Sequence, residues 1–215
     1  EGSLEGIYRT EAEWFVVGQG GTRKASFGMV LGSELFAVPG SMGSPLFGAR
    51  THAATLGSNL IVGFAEDPEL LVFAPEGDLR RIIRWPDRDR TISESRVEAF
   101  AEEAAATAPE PVRARTRESL MEMPRKEIEP AYEGILSSDQ GMFWVGSPEG
   151  PEADYLEIPP PQRTWLVFDS TGVIAATVEI PVGFRPLAMG ASLVYGVAIG
   201  QLGDQAVAVY EIRKQ

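Results

Sequence analysis

The sequence predicts an all-β fold built from repeated four-stranded antiparallel units: a β-propeller, or a segment of one, with a single helical insertion. Three observations predict it. Residues 71–86, LVFAPEGDLRRIIRWP, and 166–181, LVFDSTGVIAATVEIP, both open on Leu-Val-Phe, place Gly seventh and close on Pro, 95 positions apart. Gly57-Ser-Asn-Leu-Ile-Val-Gly63 has a counterpart of identical spacing in Gly190-Ala-Ser-Leu-Val-Tyr-Gly196. The 23 Gly and 16 Pro among 215 residues suit many short elements joined by tight turns.

Each sixteen-residue phrase reads as strand, turn, strand. Leu71-Val72-Phe73 and Leu166-Val167-Phe168 are apolar and β-rich. Ala74-Pro-Glu-Gly77 and Asp169-Ser-Thr-Gly172 then suit a tight turn ending at positive φ. Ala74 lacks the carboxylate that Asp169 offers to such a turn. With the Gly-led strand placed upstream, the unit is strand, turn, Gly-led strand, loop, strand, turn, strand. Four short strands recurring every 40–50 residues are the mark of a propeller blade.

The units are 1–48, 49–87, 131–181 and 182–215, with a helical insertion at 88–130. The first matches loosely, with Gly32-Ser-Glu-Leu-Phe-Ala-Val38 as its Gly-led phrase and Gly18-Gln-Gly-Gly-Thr22 as a glycine-rich turn. That turn lacks the Gly-Lys-Ser/Thr of a phosphate-cradling loop. The third unit carries a Gly-led phrase one residue shorter, Gly141-Met-Phe-Trp-Val-Gly146. In the last unit Ala206–Ile212 takes the Leu-Val-Phe place and the fourth strand is missing. The other end of the chain is expected to supply it.

Within the insertion, Thr91-Ile-Ser-Glu94 has capping-box spacing with Thr91 as N-cap. Val97, Phe100, Ala101, Ala104 and Ala105 follow at helical spacing, and Pro109 and Pro111 stop the run. Arg113, Arg115 and Arg117, balanced by Glu110, Glu118 and Glu122, read as a solvated segment, with a short turn at Glu118–Met123 before Pro124. The insertion is expected to brace a blade edge on one face of the disc, or to act as a lid or docking element.

Composition narrows the function classes. A formal charge of −12, with no basic cluster interleaved with aromatics, disfavours nucleic acid as a partner. The chain has no Cys, hence no disulfide, thiolate nucleophile or Cys-ligated metal. No apolar run reaches the length of a membrane-spanning helix; the longest, Ser192–Ile199, is strand-sized. A first residue of Glu1 suggests a removed targeting segment or a piece of a longer polypeptide.

The single His52 excludes a multi-His metal site, and no nucleophile elbow or triad accompanies it. The pairs Glu66-Asp67, Asp67-Pro-Glu69 and Asp87-Arg-Asp89 read as solvated turn charge. Connections between blades should end near a central channel, which makes Arg50, His52, Tyr132, Glu133, Phe184 and Arg185 candidate ligand-binding residues at its rim. The structural alternative is that they plug the channel or bond neighbouring backbone. Arg80, Arg81 and Arg84, unmatched by Ala175, Ala176 and Glu179 of the sister hairpin, are candidate partner-binding residues at the blade rim.

Tyr132-Glu-Gly-Ile-Leu-Ser-Ser-Asp139-Gln-Gly141-Met-Phe-Trp144-Val145 and Trp165-Leu-Val-Phe-Asp169-Ser-Thr-Gly172 resemble the blades of bacterial six-bladed propeller proteins related to NHL-repeat propellers. Pro181-Val-Gly-Phe184-Arg185-Pro186, Leu193–Val197 and Val209–Ile212 resemble that family's C-terminal blade. The resemblance covers 51–87 and 131–212. Without the 43-residue insertion, 172 of the 215 residues remain, enough for about four blades, so a segment of a longer propeller is expected.

The resemblance implies an exported protein, periplasmic or extracellular. The expected role is a non-enzymatic interaction module without cofactor or metal. One version is an accessory subunit binding another protein, in particular a membrane-bound assembly. The alternative is a calcium-dependent, lactonase-like propeller hydrolase completed by further blades. Such enzymes hold calcium with Glu, Asn and Asp, and this chain has one Asn, Asn59.

Overall fold

A computed structural model describes residues 6–138, 140–148, 162–190, 192–200 and 202–213. Those residues form four antiparallel sheets and two α-helices, so the all-β class with a helical insertion holds. Asp139 and Ala191, quoted in the repeats, lie outside the described residues. The chain divides into two compact units, Glu1–Ile92 with Met123–Glu133, and Ser93–Glu122 with Gly134–Gln215.

In the first unit, β1 (Gly6–Val17), β2 (Arg23–Val38) and β3 (Ser41–Gly43) form a three-stranded sheet in chain order. Gly32 does not lead a strand here, contrary to the sequence reading. It lies inside the sixteen residues of β2, where the register with β1 slips between Arg9↔Glu34 and Glu11↔Leu31. A Cβ on Gly32 would sit 3.0 Å from Thr10 Oγ1, so the glycine marks a bulge with close strand approach.

The second sheet of this unit is a complete meander: β4 (His52–Leu56), β5 (Asn59–Gly63), β6 (Glu69–Phe73) and β7 (Leu79–Arg84). On β6, Leu70 and Val72 are buried while their neighbours are only half covered, the alternation of a strand with one core-facing side. The central strand β5 buries both Ile61 and Val62 completely.

In the second unit, β8 (Gly134–Ser137), β9 (Phe143–Gly146), β10 (Arg163–Phe168) and β11 (Ile174–Ile180) repeat that four-stranded meander. β12 (Phe184–Met189), β13 (Leu193–Ile199) and β14 (Gln205–Glu211) follow as a three-stranded sheet. The other end of the chain does not supply its fourth strand as expected: among the described residues β1 pairs with β2, and no strand flanks β14. Trp144, Trp165, Val167, Ile180, Phe184, Met189 and Val194 join the two sheets in one core. Gly146 makes room for it, since a Cβ there would meet the Trp165 ring at 3.0 Å.

The two sixteen-residue phrases match down to the backbone. In both turns the amide of the first residue reaches the carbonyl of the fifth, and the fourth amide returns to the first carbonyl. The same two bonds recur among residues 18, 21 and 22, among 138, 141 and 142, and among 200, 203 and 204, and in all five cases the Gly that donates the second bond has φ between 78° and 99°. Asp169 Oδ1 accepts from the amides of Thr171 and Val173, as a turn Asp should. Ala74 stands in the equivalent place at 1% exposure, where a carboxylate would be desolvated. One bulge also repeats: Arg80 on β7 and Ala175 on β11 are the extra residues of their ladders.

The predicted insertion is split between the units. Helix α1 (Glu94–Thr107) buries Val97, Phe100, Ala101, Ala104 and Ala105 as their spacing predicts and ends before Pro109. Its N-cap is Ser93, whose hydroxyl accepts from the Arg96 amide, and not Thr91. Thr91 is held extended by an antiparallel bridge to Ile128, with Ile92 N donating to Glu127 O. After a 3₁₀ turn at Glu110–Val112, the expected solvated segment is helix α2 (Arg113–Glu122), with no buried residue. Arg117 reaches from it to Glu102 of α1 at 2.5 Å. The flanking arms, 88–92 and 123–130, belong to the first unit, where isolated bridges join Leu46 to Arg125 and Thr91 to Ile128.

Gly77 combines a φ of 99° with a site where a Cβ would lie 2.0 Å from the Ser26 carbonyl oxygen, whereas Gly57 (φ 61°) faces open space. Gly57→Ala should cost about 1–2 kcal/mol, the left-handed penalty alone. Gly77→Ala should cost more than that, because backbone must also move. Urea unfolding of both variants checks the order.

Candidate functional site

The β5–β6 connection, Phe64-Ala65-Glu66-Asp67-Pro68, is held by side chains from three other segments of the first unit. Ala65 is fully buried at φ 54°, a left-handed conformation that costs a residue with a Cβ about 1–2 kcal/mol. Three side chains fix this loop. The Tyr132 hydroxyl accepts from Ala65 N at 3.0 Å and donates to Glu69 O at 3.1 Å. Arg9 Nη2 donates to Phe64 O at 3.2 Å, and Arg90 Nη2 donates to Glu66 O at 3.0 Å. Ala131 N adds a backbone bond to Ala65 O at 2.7 Å.

Two ion-pair systems hold these side chains in place. Asp87 grips the Arg90 guanidinium with both carboxylate oxygens at 2.8 Å, and Arg90 Nη1 donates to Glu129 O at 2.5 Å. The hydrogen bond from Arg90 holds the Asp87 carboxyl below its ordinary range. Asp87 and Asp89 are both exposed, as their reading as solvated charge has it, with Asp87 also paired to Arg90 and Asp89 accepting from the Thr91 amide at 3.0 Å. Glu34, 5% exposed, accepts from Ala49 N at 2.7 Å and from Lys126 Nζ at 2.8 Å, with Arg9 Nε 3.8 Å away. Lys126 thus pairs with a carboxylate 92 positions upstream, a pairing no local pattern announces.

Of the predicted rim residues, the structure brings Arg50, His52 and Tyr132 together in the first unit. The His52 ring lies 5.8 Å from that of Tyr132, and Trp85 flanks Tyr132 from 5.6 Å. Burial, with the nearby Arg50 cation, pushes the His52 pKa down to about 4, so the imidazole is neutral at physiological pH. Burial likewise pushes the Tyr132 phenol upward. A Cβ on Gly63 would lie 1.9 Å from the Tyr132 hydroxyl, so the glycine exists to admit it. Tyr132 behaves as the structural alternative describes, bonding neighbouring backbone. Glu133 closes the returning arm of the same unit and is half-buried.

Phe184 and Arg185 belong to the second unit. Phe184 is buried, edge-on to Tyr210 at 4.6 Å, and takes the space that Gly196 leaves. Arg185 is exposed on β12 opposite Val197. On the outer strand β7, Arg80 donates to Asn59 at 3.3 Å and pairs with Glu76 at 3.6 Å, and Arg84 meets Glu69 at 2.5 Å. Arg81 is half-buried between them. Asn59, the chain's one Asn, is thus engaged by Arg80. Among the described residues, no three His, Asp or Glu side chains group closely enough to hold a metal ion.

The His52 shift has a pH signature. Its folded pKa near 4 lies below the unfolded value of about 6.5, so the unfolded chain takes up the proton first. The His52 contribution should be intact above pH 6.5 and decline by about 2–3 kcal/mol as pH falls to 4.5. Urea midpoints at pH 7.5 and 4.5 should differ less in His52→Gln than in wild type. Tyr132→Phe should cost about 1–3 kcal/mol at any pH, because it leaves the Ala65 amide buried without an acceptor.

In comparisons with known proteins, no protein-family model matches the chain, and no curated protein matches it.

Proposed function

We propose that the chain is a β-propeller segment working as a non-enzymatic interaction module, which binds another protein through the outer edges of its sheets. The observation that carries this reading is strand β7. In a chain of net charge −12, residues 79–84 hold three Arg and no acidic residue. Leu79, Arg80, Ile82 and Arg84 on that strand are exposed. Arginine beside exposed apolar side chains is the composition of interface cores. The propeller arrangement is part of the proposal, supported by two four-stranded meanders that share one turn and one bulge. The candidate rim supports a non-catalytic role too, since the Tyr132 hydroxyl is committed to backbone.

The partner would be a component of a cell-envelope assembly, periplasmic or extracellular, which rests on the resemblance of the blade phrases to exported propellers. Among the described residues, no helix is long and apolar enough to cross a membrane. Cross-linking of the chain in an envelope extract tests the proposal, with wild type compared against the variant Arg80→Glu/Arg84→Glu. The expected result is a discrete cross-linked species that falls about tenfold in the variant, as for charges at an interface. Unchanged cross-linking would move the docking surface off β7. A drop of several degrees in melting temperature on chelation would favour the calcium-dependent hydrolase.

A further inference from the structure

We infer that strand β14 is a docking edge for a second copy of this chain, two β14 strands pairing antiparallel about Ala208. The inference concerns a different edge from β7 and rests on different residues. In the sheets β4–β7 and β8–β11 the third strand is flanked by a fourth. In β12–β14 no described strand flanks β14. Its side chains are correspondingly bare: Val207 is 87% exposed and Val209 51%.

The backbone phase follows from two bonds at the ends of the ladder, Ile212 N to Ser192 O and Gly200 N to Asp204 O, both 2.8 Å. Residues 206, 208 and 210 therefore direct their backbone groups at β13, and Gln205, Val207, Val209 and Glu211 direct theirs outward. The β13–β14 register runs without a bulge. The strand contains one charged residue, Glu211, and Arg213 Nε lies 3.5 Å from it. Edge strands normally resist pairing through charge, Pro or bulges. β7 has three Arg and a bulge, and β14 has neither defence.

The sequence QAVAVYE is self-complementary in one register. About Ala208, Val207 faces Val209 of the second copy and Gln205 faces its Glu211, and these are the residues whose backbone points outward. Ala206 faces Tyr210, small against large. No like charges meet. The outward amides and carbonyls of both strands are thereby satisfied, and four valines form one apolar cross-strand cluster. The −12 charge of each copy opposes association and is screened at moderate salt.

Sedimentation equilibrium of the full chain over a wide concentration range, at low and at high salt, tests this. A dimer that strengthens with salt is expected. Val207→Lys and Val209→Glu should each weaken it about tenfold, which at the exposure of Val207 leaves the monomer folded by circular dichroism. The double variant Val207→Lys/Val209→Glu sets an ammonium of one copy opposite a carboxylate of the other, and should dimerise more tightly than either single variant. In the wild-type dimer, the amides of residues 205, 207, 209 and 211 should gain protection from hydrogen exchange. A monomer at every concentration, or a dimer indifferent to both single variants, overturns the inference. So does protection of those amides only on binding a different protein, which would assign the edge to a foreign strand.

Discussion

The arm formed by residues 123–132 is the constraint on which the first unit depends. Two residues with a Cβ, Phe47 and Ala65, are held at φ 57° and 54°, conformations that persist only where surroundings over-determine them. The arm secures both. Leu46, beside Phe47, donates to Pro124 O at 2.9 Å and accepts from Lys126 N at 3.1 Å. Ala65 is bonded by the Ala131 amide and the Tyr132 hydroxyl. The strain is thus compensated by chain that arrives only after two helices have intervened, and the first unit is incomplete without it.

That dependence explains the polar interior. A loop carrying Ala65 out of regular structure leaves the carbonyls of Phe64 and Glu66 without ladder partners, and each buried carbonyl needs a donor. Arg9 and Arg90 provide donors, but a buried guanidinium then needs its own charge compensated. Glu34, Glu66 and Asp87 follow from that requirement, and Lys126 from Glu34. The carboxylates near this loop are therefore fixed by backbone geometry at one remove. Their clustering is a structural consequence.

What the sequence made legible divides along the same line. The hairpins 71–86 and 166–181 were readable because turn and bulge are set by residues a few positions apart. Helix α1 was readable from its apolar stripe, and α2 was not, since RARTRESLME has no stripe and buries nothing. Thr91 had the local credentials of an N-cap, yet a bridge to Ile128 claimed its backbone and passed the cap to Ser93. At the candidate site, His52 and Tyr132 were picked out from where connections should end. Arg9, Glu34, Lys126 and Arg90 were missed because their pairings span up to 92 positions. Only a fold can bring such residues together.

The repeat also separates what must be kept from what can vary. Arg80 and Ala175 occupy the same bulge, where a residue has no partner across the ladder and its side chain is released from cross-strand packing. The backbone there is set by the turn and its Gly, so the side chain is open to any chemistry. Arg80 is more than half exposed, and its pair with Glu76 is of the exposed kind worth about 0–1 kcal/mol. Redirecting such a side chain toward a partner costs the fold almost nothing. The outer strands can therefore diverge in charge, arginine on β7 and alanine on β11, while the two hairpins keep the same turn bonds and the same bulge.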